Sequence, residues 1–446
     1  MPPKPERDRS ESSVGVGLIG LGTVGGGVAA LLRDHADLYR QRFGKRVELR
    51  RALVRDVEKA RASKLLEADR ITDDAEAFFD DAAIDVVVEV AGGGGAVEAM
   101  VRRSLESGRH VVTANKSLLA DKGAELFALA RQRGVSIAFE ASCGGGIPCV
   151  TVLTQGLMAN RITGLYGILN GTCNFILTAM TRRGLTYDDA LAEAQRLGYA
   201  EADPTLDVSG ADAGQKLAIL AALAFGITIP EVRCVGVDGL SLEDLRFGQE
   251  MGYDIKLLAI AEQAAPGEPV SVGVEPCFIH DRDLLAPVRG AFNALVVEGD
   301  AVGPVMFYGQ GAGRGPTASA VVSDLLNVVS GGYPAAFAAT SLTPDRGEAA
   351  DLLPADEVRG RFFLRVQAVD RPGTLAKMTA ILGEEGIGVR GMTQHESNHG
   401  QVVPVVFTTD TAPRGSVTKA AARLANLDVV EGRPMMIRIV DAPEDA

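Results

Sequence analysis

The 446-residue chain has no tryptophan and only five cysteines and five histidines. The cysteines (Cys143, Cys149, Cys173, Cys234, Cys277) are scattered and odd in number. None forms a CxxC pair, and no Cys/His cluster has zinc spacing. No run of 18 uncharged apolar residues occurs, which excludes a helical membrane span. Met1–Ser13 is polar and charged and lacks the apolar stretch of a secretory leader. Free thiols without a leader predict a reducing, cytoplasmic setting. Positive charge is also scarce: 45 Lys and Arg stand against 58 Asp and Glu, a net charge of −13. Phosphate neutralisation along a nucleic acid needs clustered cations, so nucleic acid is not the expected partner.

Glycine is what the chain has in abundance, 52 residues, and it falls in clusters. Its length allows two to four domains. In the first segment strands alternate with helices: Val14–Ile19, Val47–Val54, Asp85–Val90, His110–Thr113 and Val135–Phe139 read as strands. That alternation predicts a parallel sheet with crossover helices over 14–141, with a helix at 315–330 completing it. A middle segment, 142–330, holds helices at Tyr187–Leu197 and Ala211–Phe225 and strands at Val270–Phe278 and Ala294–Glu298. Residues 331–360 carry three prolines and little periodicity, the composition of a linker. From 361 to 440 the order is βαββαβ, the ferredoxin-like pattern. The fold class is therefore α/β: a Rossmann-like domain, an α+β substrate and dimerisation domain, and a C-terminal ferredoxin-like domain.

Gly20-Leu21-Gly22-Thr23-Val24-Gly25 is a G-x-G-x-x-G between a strand and a helix. The first glycine makes the turn, the second lets backbone approach a pyrophosphate, and the third allows close helix–strand packing. The anion sits at the helix N-terminus. An acid ending the second strand would grip the ribose of NAD. Here the strand ends in Val54-Arg55-Asp56, with Lys59 and Arg61 behind. Arg55 and Lys59 suit the 2′-phosphate of NADP, while Asp56 keeps NAD open and a solvated helix face explains Lys59 and Arg61 equally well.

Two further stretches carry chemistry. Thr113-Ala114-Asn115-Lys116 follows a strand's carboxyl end, where open parallel sheets gather ligands. Glu201, Asp207, Asp212 and Lys216 cluster in 198–216, and Asp212 and Lys216 share a helix face at i, i+4. That helix continues as the apolar KLAILAALAF, where a charged pair is costly unless used. Carboxylates there can grip an ammonium, and a desolvated lysine can move protons near neutral pH. The plain alternative is a capping carboxylate with a surface ion pair.

These pieces, with EASCGGGIP at 140–148, LNGTCNFIL at 169–177, GYAEADP at 198–204 and GAGRGPTASAVVSDL at 311–325, resemble homoserine dehydrogenase from residue 14 to about 330. The resemblance implies NAD(P)H-linked interconversion of L-aspartate 4-semialdehyde and L-homoserine, on the way to threonine, methionine and isoleucine. It puts Lys216 on the family's proton-donor lysine, Lys116 on its active-site lysine, and Glu201, Asp207 and Asp212 on substrate-binding carboxylates. Gly20, Gly22, Thr23, Val24, Gly25, Arg55, Lys59, Lys116, Gly198 and Gly313 fall among its cofactor contacts. Glu140, with the backbone carbonyls of Cys143, Gly145 and Ile147, falls on a sodium site. A hydrophobic residue is usual where Cys143 stands, and four glycines, Gly92–Gly95, replace polar residues near the cofactor. The family forms dimers or larger homo-oligomers, a homodimer or homotetramer here. Too few residues precede the first strand for a fused kinase domain, so the unfused form is expected.

The turn Asp370-Arg371-Pro372-Gly373-Thr374-Leu375 inside the βαββαβ segment resembles an ACT domain. This implies an amino-acid effector, threonine by its place in the pathway, with Asp370, Pro372, Gly373 and Leu375 at the regulatory site. Two other readings compete: a phosphorylating aldehyde dehydrogenase with Cys143 or Cys149 as nucleophile, and a nucleotide sensor without turnover.

Overall fold

The computed structural model describes residues 13–340, 343, 345, 347–395 and 400–440. Of the polar tail expected at 1–13, all but Ser13 lies outside the described residues. The chain divides into two compact units. The first comprises Met1–Ile162, Gln215–Glu231 and Asn293–Ala350; the second comprises Thr163–Gly214, Val232–Phe292 and Asp351–Ala446.

The first unit is built on a six-stranded parallel sheet: β1 (Ser13–Ile19), β2 (Arg46–Leu53), β3 (Ile71–Thr72), β4 (Val86–Glu89), β5 (His110–Thr113) and β6 (Ile137–Ala138). The strand order is β3-β2-β1-β4-β5-β6. The order reverses between β1 and β4, and in such sheets the ligand crevice opens there, at the carboxyl ends. Every residue of β4 is buried, as expected of a strand covered on both faces. The helices are α1 (Thr23–Asp34), α2 (Ala36–Phe43), α3 (Val57–Ala62), α4 (Ala75–Phe79), α5 (Gly95–Glu106) and α6 (Lys116–Arg133). A later helix, Arg314–Ser330, packs on α1, and its Ala318, Val321 and Leu325 share a core with Val28 and Leu32. Each buried Val or Leu side chain here contributes about 1.5–3 kcal/mol.

The segment 331–360 departs from the linker expected of it. It opens with the helix Gly332–Ala339, whose Phe337 is buried against Phe127 at 6.1 Å between centroids. Arg131 of α6 holds it down. Its guanidinium lies 4.4 Å from the centre of the Phe337 ring, donates to the carbonyl oxygens of Phe337 and Thr340, and pairs with Asp345 at 2.8 Å. Much of this clamp grips backbone carbonyls, so it leaves no hydrophobic period in the sequence.

In the second unit the sheet runs Ile162–Ile168, Tyr253–Glu262, Ser271–His280, Val430–Val440, Arg359–Val369, Val402–Thr409, Val389–Gln394. The last four strands, with the helices Thr374–Glu384 and Arg414–Leu424, form the βαββαβ module around its own core of Phe362, Leu364, Met378, Phe407 and Val417. The module continues the middle segment's sheet, because Val430–Val440 pairs in parallel with Ser271–His280.

Tyr253–Glu262 was not legible as a strand: YDIKLLAIAE is a short apolar run that serves a helix as well. It carries Lys256, only 3% exposed, whose ammonium donates to the carbonyl of Val288 at 2.6 Å. Burial pushes this amine down to about 8, against the opposing pull of Asp254. In the unfolded chain a lysine titrates near 10.4. Between those values the unfolded state binds the extra proton, so stability rises with pH. The denaturation midpoint should therefore climb between pH 8 and 10 in the wild type relative to Lys256→Met. A flat difference across that range would show that Lys256 keeps an ordinary pKa.

Candidate active site

At the carboxyl end of β1 the backbone turns through Gly20 at φ +96°, a conformation open chiefly to glycine. A Cβ on Gly25 would stand 2.0 Å from the Gly20 carbonyl oxygen, so the third glycine is what lets α1 start against the strand. No side chain caps α1 at Gly22, which leaves its first N–H groups for an anion. Space beside Gly22 is open: a Cβ there meets nothing within 4 Å. The loop borders a cleft of about 1060 Å³, whose wall includes Gly20, Gly22, Thr23, Arg55, Asp56, Lys59 and Gly92–Gly95. Val24 and Gly25 stand behind this wall, Val24 packed against the core. Asp56 caps α3 by accepting from the N–H of Lys59 at 2.9 Å, so one of its oxygens has a structural task.

Arg314 also lines the cleft, donating to the Gly26 carbonyl at 3.3 Å. The sequence pointed only to its neighbour Gly313. The guanidinium comes from a helix 288 residues away, so no local pattern could reveal it. Glu89 was missed too. Fully buried, it accepts from the N–H groups of Ala91 (2.9 Å) and Gly92 (3.1 Å) and from the Thr113 hydroxyl at 2.6 Å. Its one visible trace is an acid interrupting the apolar run of DVVVEV. Asn115 completes this framework. Its Oδ1 caps α6 at the Leu118 N–H (3.1 Å), and its amide donates to the Gly93 carbonyl at 3.2 Å. Lys116 is thereby the first residue of α6. A cation at a helix N-terminus is disfavoured by about 0.3–1 kcal/mol, so helix stability does not explain it.

The segment 140–147 is almost wholly buried. Glu140, 5% exposed, accepts from the N–H of Val150 (2.8 Å), the N–H of Thr151 (2.7 Å) and the Thr151 hydroxyl (2.6 Å). Burial pushes its carboxyl upward, and these donors oppose the shift. Asp324, equally hidden, accepts from the N–H of Glu140 at 2.8 Å. Its carboxyl is driven well above the usual range by burial and then by the Glu140 charge. Gly145, at φ +58°, brings the loop against 311–312: a Cβ there would lie 2.3 Å from the Gly311 oxygen. Among the described residues, no group of three or more His, Cys, Asp or Glu side chains is arranged to hold a metal ion.

Cys143 and Cys149 have no exposed surface. Burial pushes the Cys143 thiol up to about 12, although the Ser142 hydrogen bond and the charges of Lys216 and Lys116 pull it down. Cys149 is raised well above its ordinary value. A thiolate nucleophile needs the reverse, which removes the support for the acyl-transfer reading. The Cys143 thiol stands 4.0 Å from the Lys216 carbonyl oxygen.

In the second unit the structure brings Asp207 and Asp212 together through Asn170, whose amide donates to both, at 2.7 and 2.9 Å. Asp212 lies in the first turn of the helix Ala211–Phe225, and Lys216, four residues further along it and half-buried, falls in the first unit. Glu201 and Gly198 are exposed in the preceding loop, Gly198 at φ +78°. Gln195 donates to the Glu201 carbonyl at 3.2 Å. Asp370, Pro372, Gly373 and Leu375 line a separate pocket of about 280 Å³ with Val369, Gln394 and Val405.

Three family profiles match this chain: homoserine dehydrogenase over 148–326, its NAD binding domain over 20–140, and the ACT domain over 362–426. The homoserine dehydrogenase of Neisseria gonorrhoeae is 40% identical over 431 residues, spanning 96% of this chain and 98% of that protein. The chain belongs to the homoserine dehydrogenase family. The homoserine dehydrogenase of Bacillus subtilis is 39% identical, over 94% of this chain and 96% of that protein. The crystal structure of a homoserine dehydrogenase from Thiobacillus denitrificans superposes with a TM-score of 0.89 at 43% identity, covering 97% of this chain and 99% of that one. A hyperthermophilic archaeal homoserine dehydrogenase in complex with NADPH matches 71% of this chain and 97% of its own, at 26% identity and a TM-score of 0.60. As a homoserine dehydrogenase, the chain is an NAD(P)-dependent oxidoreductase with a Rossmann-like nucleotide-binding domain and a C-terminal ACT domain. Among its described residues no helix is long and apolar enough to cross a membrane.

Proposed function

We propose that this homoserine dehydrogenase reduces L-aspartate 4-semialdehyde to L-homoserine, reversibly, with NADPH as the preferred reductant. The observation that carries the reading is the pairing by one amide of Asp207 with Asp212, which precedes Lys216 by one turn of the helix Ala211–Phe225. The paired carboxylates, with Glu201, hold the substrate's ammonium group. A bound nicotinamide supplies hydride to the aldehyde carbon. Lys216 stabilises the negative charge that develops on the aldehyde oxygen and delivers the proton that makes the hydroxyl. Lys116, presented at the start of α6, steers the polar groups around the reacting centre. Oxidation of NADPH on addition of L-aspartate 4-semialdehyde tests the reading.

The cleft supports the cofactor assignment. Gly20, Gly22, Thr23, Val24 and Gly25 form or back the diphosphate loop, and Gly198 and Gly313 are further contacts by family resemblance. Arg55 and Lys59 stand where a 2′-phosphate would need cations, while Asp56 is partly engaged as the cap of α3. Arg55→Ala should therefore weaken NADPH binding more than NADH binding, by about tenfold or more for a lost charge-assisted pair. Equal losses in a fluorescence titration of the two nucleotides would remove the 2′-phosphate contact.

Glu140 suits a monovalent cation such as sodium. It is a buried carboxylate beside a second buried acid, Asp324, in a segment that offers the hard carbonyl oxygens of Cys143, Gly145 and Ile147. Such an ion would offset the buried negative charge and tie 140–147 to its neighbours. The pocket at Asp370, Pro372, Gly373 and Leu375 has the size for a small amino acid, and threonine, as an end product of the pathway that also yields methionine and isoleucine, is the effector we assign. A homodimer or homotetramer is the assembly we assign.

A further inference from the structure

We infer that Asn170 is a positioning residue of the reaction: its single side-chain amide sets Asp207 and Asp212 side by side as one receptor for a substrate ammonium. The inference rests on the reading of those carboxylates as substrate-binding. Asn170 is 4% exposed, and each polar atom of its side chain is used. Its Oδ1 accepts from the Cys173 N–H at 2.8 Å and caps the helix Gly171–Arg183. Its Nδ2 donates to Asp207 Oδ1 at 2.7 Å and to Asp212 Oδ2 at 2.9 Å. The network fixes the amide's orientation. Only the oxygen can accept from a backbone N–H, and only the nitrogen can donate to two carboxylates.

Two carboxylate oxygens bound to one nitrogen are close neighbours. Like charges about 4 Å apart repel by roughly 1 kcal/mol in water and 4 kcal/mol near a protein surface. A neutral amide eases this repulsion without cancelling it, so a cation that approaches both oxygens is favoured. Thr172 steadies the other side of Asp207, its hydroxyl standing 3.2 Å from Oδ2 and donating at 2.6 Å to the Tyr199 carbonyl. Asparagine alone meets both demands here. Serine, threonine and aspartate cap a helix but cannot supply two N–H donors. Glutamine supplies the donors but is not among the residues that cap helices well. The two carboxylates lie 37 and 42 residues away along the chain, so the asparagine couples a helix start to the short helix Thr205–Val208 and to the helix Ala211–Phe225.

Capping and positioning are separated by two variants. Asn170→Ser keeps an acceptor for the Cys173 N–H and loses both donors. Asn170→Asp keeps shape and cap but turns a third carboxylate oxygen on Asp207 and Asp212. In the full-length enzyme, KM for L-homoserine should rise roughly ten- to hundredfold in Asn170→Ser, the scale of hydrogen bonds to charged groups, and further in Asn170→Asp. The affinity of Asn170→Ser for NADP⁺, measured by fluorescence titration without substrate, and its melting temperature should stay near wild type. A wild-type KM in Asn170→Ser, or a parallel loss of KM, nucleotide affinity and melting temperature, would reduce Asn170 to a helix cap. Asp212→Asn distinguishes the two levels. If it leaves KM unchanged, the substrate-binding reading fails and this inference with it. If it raises KM while Asn170→Ser does not, the inference alone fails.

Discussion

Replacing Lys216 by alanine should lower turnover by about 10²–10⁴-fold, the usual contribution of a positioned proton donor, and leave NADPH affinity unchanged. Lys216 is half-buried on the helix Ala211–Phe225, whose following residues, Leu217 through Leu223, are largely core. An ammonium at that place is not needed to build the helix. Hydride addition to an aldehyde turns a neutral oxygen into an alkoxide, which needs positive charge and then a proton. Lysine supplies both. Arginine supplies the charge but holds its protons to a pKa above about 12, so Lys216→Arg should not restore turnover. Nucleotide affinity should survive because the cleft wall of Gly20, Gly22, Arg55 and Lys59 does not include Lys216. Steady-state rates with a separate NADPH titration check both halves. Turnover within tenfold of wild type in Lys216→Ala would assign the proton to another group.

Arg365→Leu should destabilise the enzyme by about 3–5 kcal/mol, the cost of stranding a buried charge. Arg365 lies on Arg359–Val369, the first strand of the ACT module. Its Nε donates to Asp244 Oδ1 at 2.6 Å and its Nη2 to Oδ2 at 3.2 Å, while Nη1 stands 3.0 Å from Glu243. Asp244 is fully buried and also closes a capping box with Ser241 at the start of Leu242–Glu250. Leucine would leave that carboxylate its serine partner but no cation. The exposed pairs of Arg423 with Glu384 and Glu385 make the internal comparison; Arg423→Ala should hardly matter, since solvent screens it. Denaturant unfolding of the two variants measures the difference. Equal midpoints would mean that the Arg365–Asp244 pair contributes no more than a surface contact.

The parts of this enzyme legible in its sequence are local ones. The strand–glycine loop–helix of the nucleotide site is contiguous, and its third glycine is needed because Gly20 and Gly25 pack within one turn. The βαββαβ order of 361–440 was readable from alternating periods and the Asp370–Gly373 turn. Asp212 and Lys216 could be set on one helix face because they lie four residues apart. What escaped depends on distant partners. Asn170, Glu89 and Arg314 stand inside stretches the sequence singled out, but their roles depend on contacts with residues 24 to 288 positions away. The helix Gly332–Ala339 escaped because Arg131 holds it from 206 residues away. The alternative nucleophiles Cys143 and Cys149 looked possible until their burial was known, since reactivity follows environment rather than residue type.

The most direct measurement is oxidation of NADPH on addition of L-aspartate 4-semialdehyde, with NADH in parallel and with threonine as a third arm. Turnover is expected with L-homoserine as product, faster with NADPH, and suppressed by threonine. Turnover indifferent to threonine would keep the catalytic assignment and remove threonine from the ACT pocket. A folded enzyme that binds the nucleotide yet oxidises neither NADPH nor NADH would mean that Lys216 and its carboxylates do not reduce the aldehyde.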